Sequence, residues 1–278
     1  MEKMLFFDID GTLATPGHTP SSATVQAIRK ARQKGHKVFL STGRTLGGVP
    51  FPILDIGFDG GIFSAGGSVM VGDAVLSQHF MSDDLLKQIL PLLQNEKIFY
   101  ILETADGKFK SANAKDVLAK LDLSQSGSEM QRLVQEVFFG RDLADIASYQ
   151  GQKVYKVAFF SSNQEIAEEL SHALKGAAKV VRFDNLVPDF PLTAGEISDY
   201  TISKGAALQD VCRYHHKTEE DCIAFGDSMN DAEILESAGL GIAMGNAEER
   251  VKALADLVCD TCENDGVAKA LYGLNLIP

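Results

Sequence analysis

The chain has 278 residues, 45% of them apolar and 23% charged, and a formal net charge of −12. That length can bury a large core, and beyond roughly 250 residues cores tend to split into domains. The acidic balance argues against nucleic acid as a partner, because a duplex calls for clustered Lys and Arg; it leaves room for small phosphate esters met by a local lysine. No run approaches the ~20 apolar residues of a membrane span, and the first acids arrive too early for a signal-peptide apolar region, so a cytoplasmic protein is expected, with no membrane partner.

Met4-Leu5-Phe6-Phe7 reads as a buried parallel strand, an uninterrupted apolar run, and it ends in Asp8-Ile9-Asp10-Gly11-Thr12-Leu13. Two carboxylates one residue apart repel each other unless a cation or a proton lies between them. A hard divalent ion needs only one or two carboxylates plus phosphate oxygens, and an Asp carboxylate can itself attack phosphorus. Thr19 is the expected N-cap of the next helix, with Pro20 at its first position; Val25, Ile28 and Ala31 recur on one face and Gly35 closes it. Strand Lys37–Leu40 then ends in Ser41-Thr42-Gly43-Arg44. Thr42 offers a hydroxyl and Gly43 an open backbone N–H, both suited to a phosphate oxygen. Strand, helix, strand is a βαβ unit, which implies a parallel sheet with right-handed crossovers.

Between about 81 and 197 the texture changes. Ser82 caps a helix striped by Leu85, Leu86, Ile89 and Leu93, which Pro91 should bend or end. Strands are expected at Ile98–Glu103, Lys108–Lys110 after an Asp106-Gly107 turn, Lys153–Phe160 and Lys179–Phe183, with a helix at Glu165–Leu174. This is an α/β domain inserted into the first, with junctions near Ser77–Met81 and Gly195–Asp199.

The first texture then resumes. Ser203 is an N-cap ahead of a helix near Lys204–Tyr214, and Lys204 is a point charge able to neutralise phosphate. Strand Cys222–Phe225 runs into Gly226-Asp227-Ser228-Met229-Asn230-Asp231. Helix Asp231–Ser237, strand Gly241–Met244, a helix near Glu248–Ala255, a short strand Leu257–Cys259 and a helix Gly266–Leu271 complete the alternation. The four cysteines read as reduced thiols: Cys259-x-x-Cys262 has no second pair at zinc spacing, and Cys212 and Cys222 read as core. His215-His216 is expected at the solvated end of a helix. In open α/β sheets ligands bind outside the carboxyl ends of the strands, where Asp8, Thr42 and Asp227 all stand.

The four segments, in this order, resemble the motifs of the haloacid dehalogenase superfamily, most closely the Cof-type phosphatases with a large cap between the second and third motifs. The resemblance implies a doubly wound, Rossmann-like parallel-sheet core (1–80 and 198–278) with an inserted α/β cap (81–197) that sets specificity. It implies Asp8 as nucleophile and Asp10 as general acid and base, with Mg²⁺ held by Asp8, the Asp10 carbonyl and Asp227, and Asp231 in an outer shell. Thr42, Gly43, Lys204 and Asn230 would hold the phosphate of a small ester, sugar phosphates foremost. Where the family often has Asn-Gly, this chain has Ser64-Ala65-Gly66-Gly67, a departure that bears on specificity. A phosphomutase would use the same residues, and a non-catalytic sensor of phosphorylated ligands could share the fold. The oligomeric state is not legible.

Overall fold

Strand β1 (Met4–Phe7) lies inside an eight-stranded sheet of order β14-β13-β12-β1-β2-β3-β4-β5, where β2 is Lys37–Ser41, β3 Gly60–Phe63, β4 Ser68–Val71, β5 Ala74–Gln78, β12 Cys222–Gly226, β13 Leu240–Ala243 and β14 Leu257–Val258. The coordinates are a computed structural model that describes residues 2–15, 17–114, 116, 143–161, 163–183 and 193–278. The chain divides into two units, Met1–His79 with Ile202–Pro278, and Phe80–Thr201.

In the first unit, the strands from β14 to β3 are parallel, while β4 and β5 add an antiparallel edge. The apolar runs are continuous because both faces are covered. Leu5 and Phe7 join Val38, Leu40, Ile223 and Phe225 on the face packed by Ala27, Ile28, Ala31, Val267 and Leu271. Met4 and Phe6 join Phe39 and Ala224 on the other, packed by Ala207, Leu208, Val211, Ile234 and Leu235. Phe6 stacks on Phe39 and Phe7 on Phe225, with ring centroids 5.1 and 5.0 Å apart. Each such burial is worth about 1.5–3 kcal/mol.

The first helix, α1, is Ser22–Gln33, and its cap is Ser21, whose Oγ accepts from Thr24 N, not Thr19. Ser21 Oγ also donates to Asp265 Oδ1 at 2.5 Å, and this tertiary contact selects the start among several hydroxyls. A short helix α2 (Phe51–Leu54) precedes β3. His215 is not simply solvated: it closes the helix Lys204–His215 with its ring edge-on to Phe39 at 5.6 Å.

The second unit holds a six-stranded sheet of order β10-β11-β9-β6-β7-β8, from β6 Ile98–Thr104, β7 Gly107–Lys110, β8 Leu143–Asp145, β9 Val154–Ser161, β10 Lys179–Phe183 and β11 Thr193–Ser198. All its pairings are antiparallel except β7 with β8. Helix α3 (Asp83–Leu92) is capped by Ser82, and Pro91 falls in its last turn, so it ends the helix rather than bending it. Helix α4 is Gln164–Ala173. The stretches 117–142 and 184–192 of the expected insertion lie outside the described residues. Strand β11 was not expected from the sequence; its Glu196 faces Lys156 of β9, which also lies 3.8 Å from Glu103 of β6. Lys108 of β7 reaches the same Glu103 at 3.5 Å. The fold is thus the doubly wound α/β core with an inserted α/β cap. No described helix is long and apolar enough to cross a membrane.

Candidate active site

Strand order reverses at β1: the chain builds outward through β2 and β3, then returns to add β12 on the other side. Such a switch point opens a crevice at the carboxyl ends of the strands. Asp8 follows β1 and Asp227 follows β12, so both carboxylates stand at that crevice. Asp8 is held through its N–H, which donates to Phe225 O at 3.1 Å.

Helix α5 (Lys204–His215) starts with Ser203 Oγ accepting from Ala206 N. A lysine in the first turn opposes the helix dipole, yet Lys204 is placed there and fully buried. Its Nζ donates to Asp8 Oδ1 at 2.8 Å, Asp231 Oδ1 at 2.5 Å and Asn230 Oδ1 at 3.2 Å. Asp231 is immobilised from its other side, where Oδ2 accepts from the N–H groups of Asp227 and Ser228, each at 3.1 Å. Asn230 Oδ1 also accepts from Ser228 Oγ at 2.8 Å, so its amide N–H groups are the side that can face an anion. Helix α6 (Ala232–Ser237) follows directly, after a single 3₁₀ turn at Met229–Asp231.

Two glycines permit this packing. Gly11 has φ +87°, and a Cβ there would sit 2.2 Å from Asp227 Oδ2. Thr12 can therefore turn back and donate its Oγ1 proton to Asp227 Oδ1 at 2.9 Å. Gly66 has φ +107°, and its Cβ would meet Ser203 O at 2.2 Å, so the departure segment 64–67 is what lets the start of α5 approach. Ser64 and Ala65 both adopt left-handed backbone there, with φ 51° and 56°. Gly11 O accepts from Asn246 Nδ2 at 2.9 Å, and Asn246 Oδ1 accepts from Cys262 N; sequence reasoning gave Asn246 no such bridging part.

The carboxylates outnumber the cations. Burial, followed by the charge of Asp231, pushes Asp8 well above the usual carboxylate range, although Lys204 pulls it back. Burial and then Asp231 push Asp227 up to about 8 despite the Thr12 hydrogen bond. Burial works against the charge of Lys204, but Asp231 and Asp8 outweigh it and hold the lysine above its ordinary value. Oxygen atoms of Asp8, Asp227 and Asp231 all lie within 4.8 Å of one another. When ionised, these three carboxylates beside one ammonium leave two negative charges in excess, and Asp8 and Asp227 offer hard oxygen donors that fit a hard divalent cation.

Asp10 stands apart from this triple. Both its oxygens are taken by Arg44, with Nε to Oδ2 at 2.8 Å and Nη2 to Oδ1 at 2.6 Å. Thr42 and Gly43 are at the end of β2, beside β1; Thr42 is buried and its Oγ1 accepts from Arg44 N at 3.1 Å. Arg44 is the side chain the sequence reading quoted but gave no task. An arginine two residues after a hydroxyl, at a strand end that must lie near Asp10, was the available signal.

A family model for haloacid dehalogenase-like hydrolases matches residues 5–271. Phosphatase YwpJ of Bacillus subtilis (strain 168) is 29% identical over 296 residues, covering 98% of this chain and 99% of its own. A solved haloacid dehalogenase-like hydrolase from B. subtilis superposes with a TM-score of 0.82 at 26% identity, over 98% of this chain and 99% of that one. The HAD subclass IIB sugar phosphatase BT4131 shares the fold, with a TM-score of 0.80 at 23% identity over 99% and 100% of the two chains. The chain belongs to the haloacid dehalogenase-like hydrolases and is an enzyme of that family.

Proposed function

We propose that this enzyme is a Mg²⁺-dependent phosphatase of the cytoplasm that hydrolyses small phosphate monoesters, sugar phosphates foremost, through an aspartyl-phosphate on Asp8. The observation that carries the reading is Lys204, buried at the switch point with its ammonium shared between Asp8 and Asp231. A lysine so placed turns one oxygen of Asp8 toward itself and leaves the other to attack. Asp8 and Asp227, with the Asp10 carbonyl, would hold Mg²⁺, and Asp231 would stand behind them fixing Asp227 and Lys204. When bound, Mg²⁺ supplies positive charge that offsets the repulsion between a carboxylate nucleophile and a phosphate dianion.

Asp8 attacks phosphorus in line, the ester oxygen leaves, and Asp10 gives it a proton. Asp10 then takes a proton from the water that opens the acyl-phosphate, so the carboxylate of Asp8 is restored and phosphate is released. Thr42, Gly43, Lys204 and Asn230 hold the transferring oxygens; in phosphoryl transfer such positioning and electrostatics supply most of the catalysis. Residues 1–80 and 198–278 carry this chemistry, and the insertion at 81–197 chooses the leaving group. The similarity to a sugar phosphatase supports the substrate class. Rapid acid quench during turnover of a ³²P-labelled ester is expected to find label on Asp8; label on another residue, or none with hydrolysis proceeding, overturns the mechanism.

A further inference from the structure

Asp10 opens the turn in which Gly11 N donates to Ala14 O, and its side chain is 18% exposed; left alone, its carboxylate would sample several rotamers. Arg44 removes that freedom. The guanidinium meets both carboxylate oxygens as a fork, a geometry that fixes direction as well as distance. Its remaining nitrogen Nη1 donates to Gly48 O at 3.0 Å. The Arg44 backbone is pinned as well, through N to Thr42 Oγ1 and through its carbonyl, which accepts from Ser64 N at 2.8 Å. The cation is therefore fixed at both ends before it meets Asp10, and its fixing points lie in the loops that follow β2 and β3.

We infer that Arg44 is the positioning residue of the acid–base step: its fork on both oxygens aims the Asp10 carboxyl at the leaving-group oxygen. The inference rests on the assignment of Asp10 as general acid and base. An ion pair that merely held two loops together would act equally on every substrate. Arg44 acts only where a proton must be delivered.

Phenyl phosphate and p-nitrophenyl phosphate separate the two cases, because they share a shape and differ in how much their leaving group needs the proton. Arg44→Gln is expected to lower kcat about ten- to a hundredfold on phenyl phosphate and at most about threefold on p-nitrophenyl phosphate, with KM little changed. In an Asp10→Asn background the Arg44→Gln change should cost nothing further, as residues acting as a unit are not additive. Arg44→Lys restores the charge without the fork, so it should recover only part of the loss; it also serves as the test variant if Arg44→Gln does not fold. Equal losses on the two esters, or a full additional loss in the Asp10→Asn background, overturn the role of Arg44. Should Asp10→Asn itself fall equally on both esters, the acid–base assignment fails instead, which the same four proteins reveal.

Discussion

In the inserted unit Lys156 lies between Glu103 and Glu196 while Lys108 faces Glu103, so among the described residues two ammonium groups meet two carboxylates across four strands. In the other unit a single buried Lys204 serves Asp8 and Asp231 with Asp227 close by. Both are clusters of buried charge on sheets, and burying charge is costly in either place. Among the described residues the first row is balanced and can stand as structure. The second carries an excess that folding alone would not select, and that excess is what marks a binding site for a cation and a reactive anion. Balance, not burial, separates the two.

Removing Asp8 attacks the excess directly. Asp8→Asn should lower turnover of any phosphate ester by at least about a thousandfold, while metal-free thermal stability stays level or rises, because a costly buried carboxylate is gone. A large fall in stability would mean that the cluster is a structural pair like the other one.

The balanced row should respond in the opposite way. Lys156→Met removes the ammonium that Glu196 meets and one of those beside Glu103, and should cost about 3–5 kcal/mol of stability in denaturant melts. Its Mg²⁺ requirement for turnover should match that of the parent protein. A shifted Mg²⁺ requirement would erase the division of labour between the units.

Acidity sharpens the comparison at smaller scale. Asp227 is raised to about 8 in the folded protein from an ordinary value of 3.8, by burial and then Asp231. The folded form thus keeps this proton where the unfolded chain has lost it, and metal-free stability should fall as pH rises from about 4 to 8. Melts of the parent and of Asp227→Asn across that range isolate the effect, since burial lowers the pKa of His36 and His215 and pushes stability the other way near neutrality. The parent should lose stability relative to the variant as pH rises, and Mg²⁺ should flatten the difference. Parallel curves would show that Asp227 carries no such burden.

The smallest effect belongs to the loop after β3. Ala65→Gly should stabilise the protein by up to about 1 kcal/mol, because a left-handed backbone at φ 56° is unfavourable for a residue with a Cβ. A loss in the melt would mean that the methyl group packs better than its backbone suffers.

The strands of the core and the strand-end acids were legible because each is local: an apolar run, then a carboxylate. Lys204 was legible because its N-cap serine precedes it. Strand Thr193–Ser198 was not, since its sequence Thr-Ala-Gly-Glu-Ile-Ser has no apolar run and its Glu196 is met by Lys156, 40 residues away. The hairpin Ser68–Gln78 was missed because, as a sheet edge, it shows weak burial contrast. The fork of Arg44 on Asp10 and the bridge of Asn246 to Gly11 O depend on strand ends brought together by the sheet, which no spacing in the sequence expresses.

Strand β1 pairs on one side with residues 37–40 and on the other with residues 222–225. The first pairing is short-range and can form as soon as the first βαβ unit exists; the second closes a loop of more than two hundred residues. Loops of that separation are late events in folding, and on the ribosome the N-terminal segment is complete long before its partner strand emerges. During that interval the apolar edge of β1 is an open template, and Asp8 has neither Lys204 nor Asp227 beside it. Catalytic competence should therefore arrive in the last kinetic phase of refolding, after most of the helical signal has returned, and the waiting edge of β1 is where a stalled chain would aggregate.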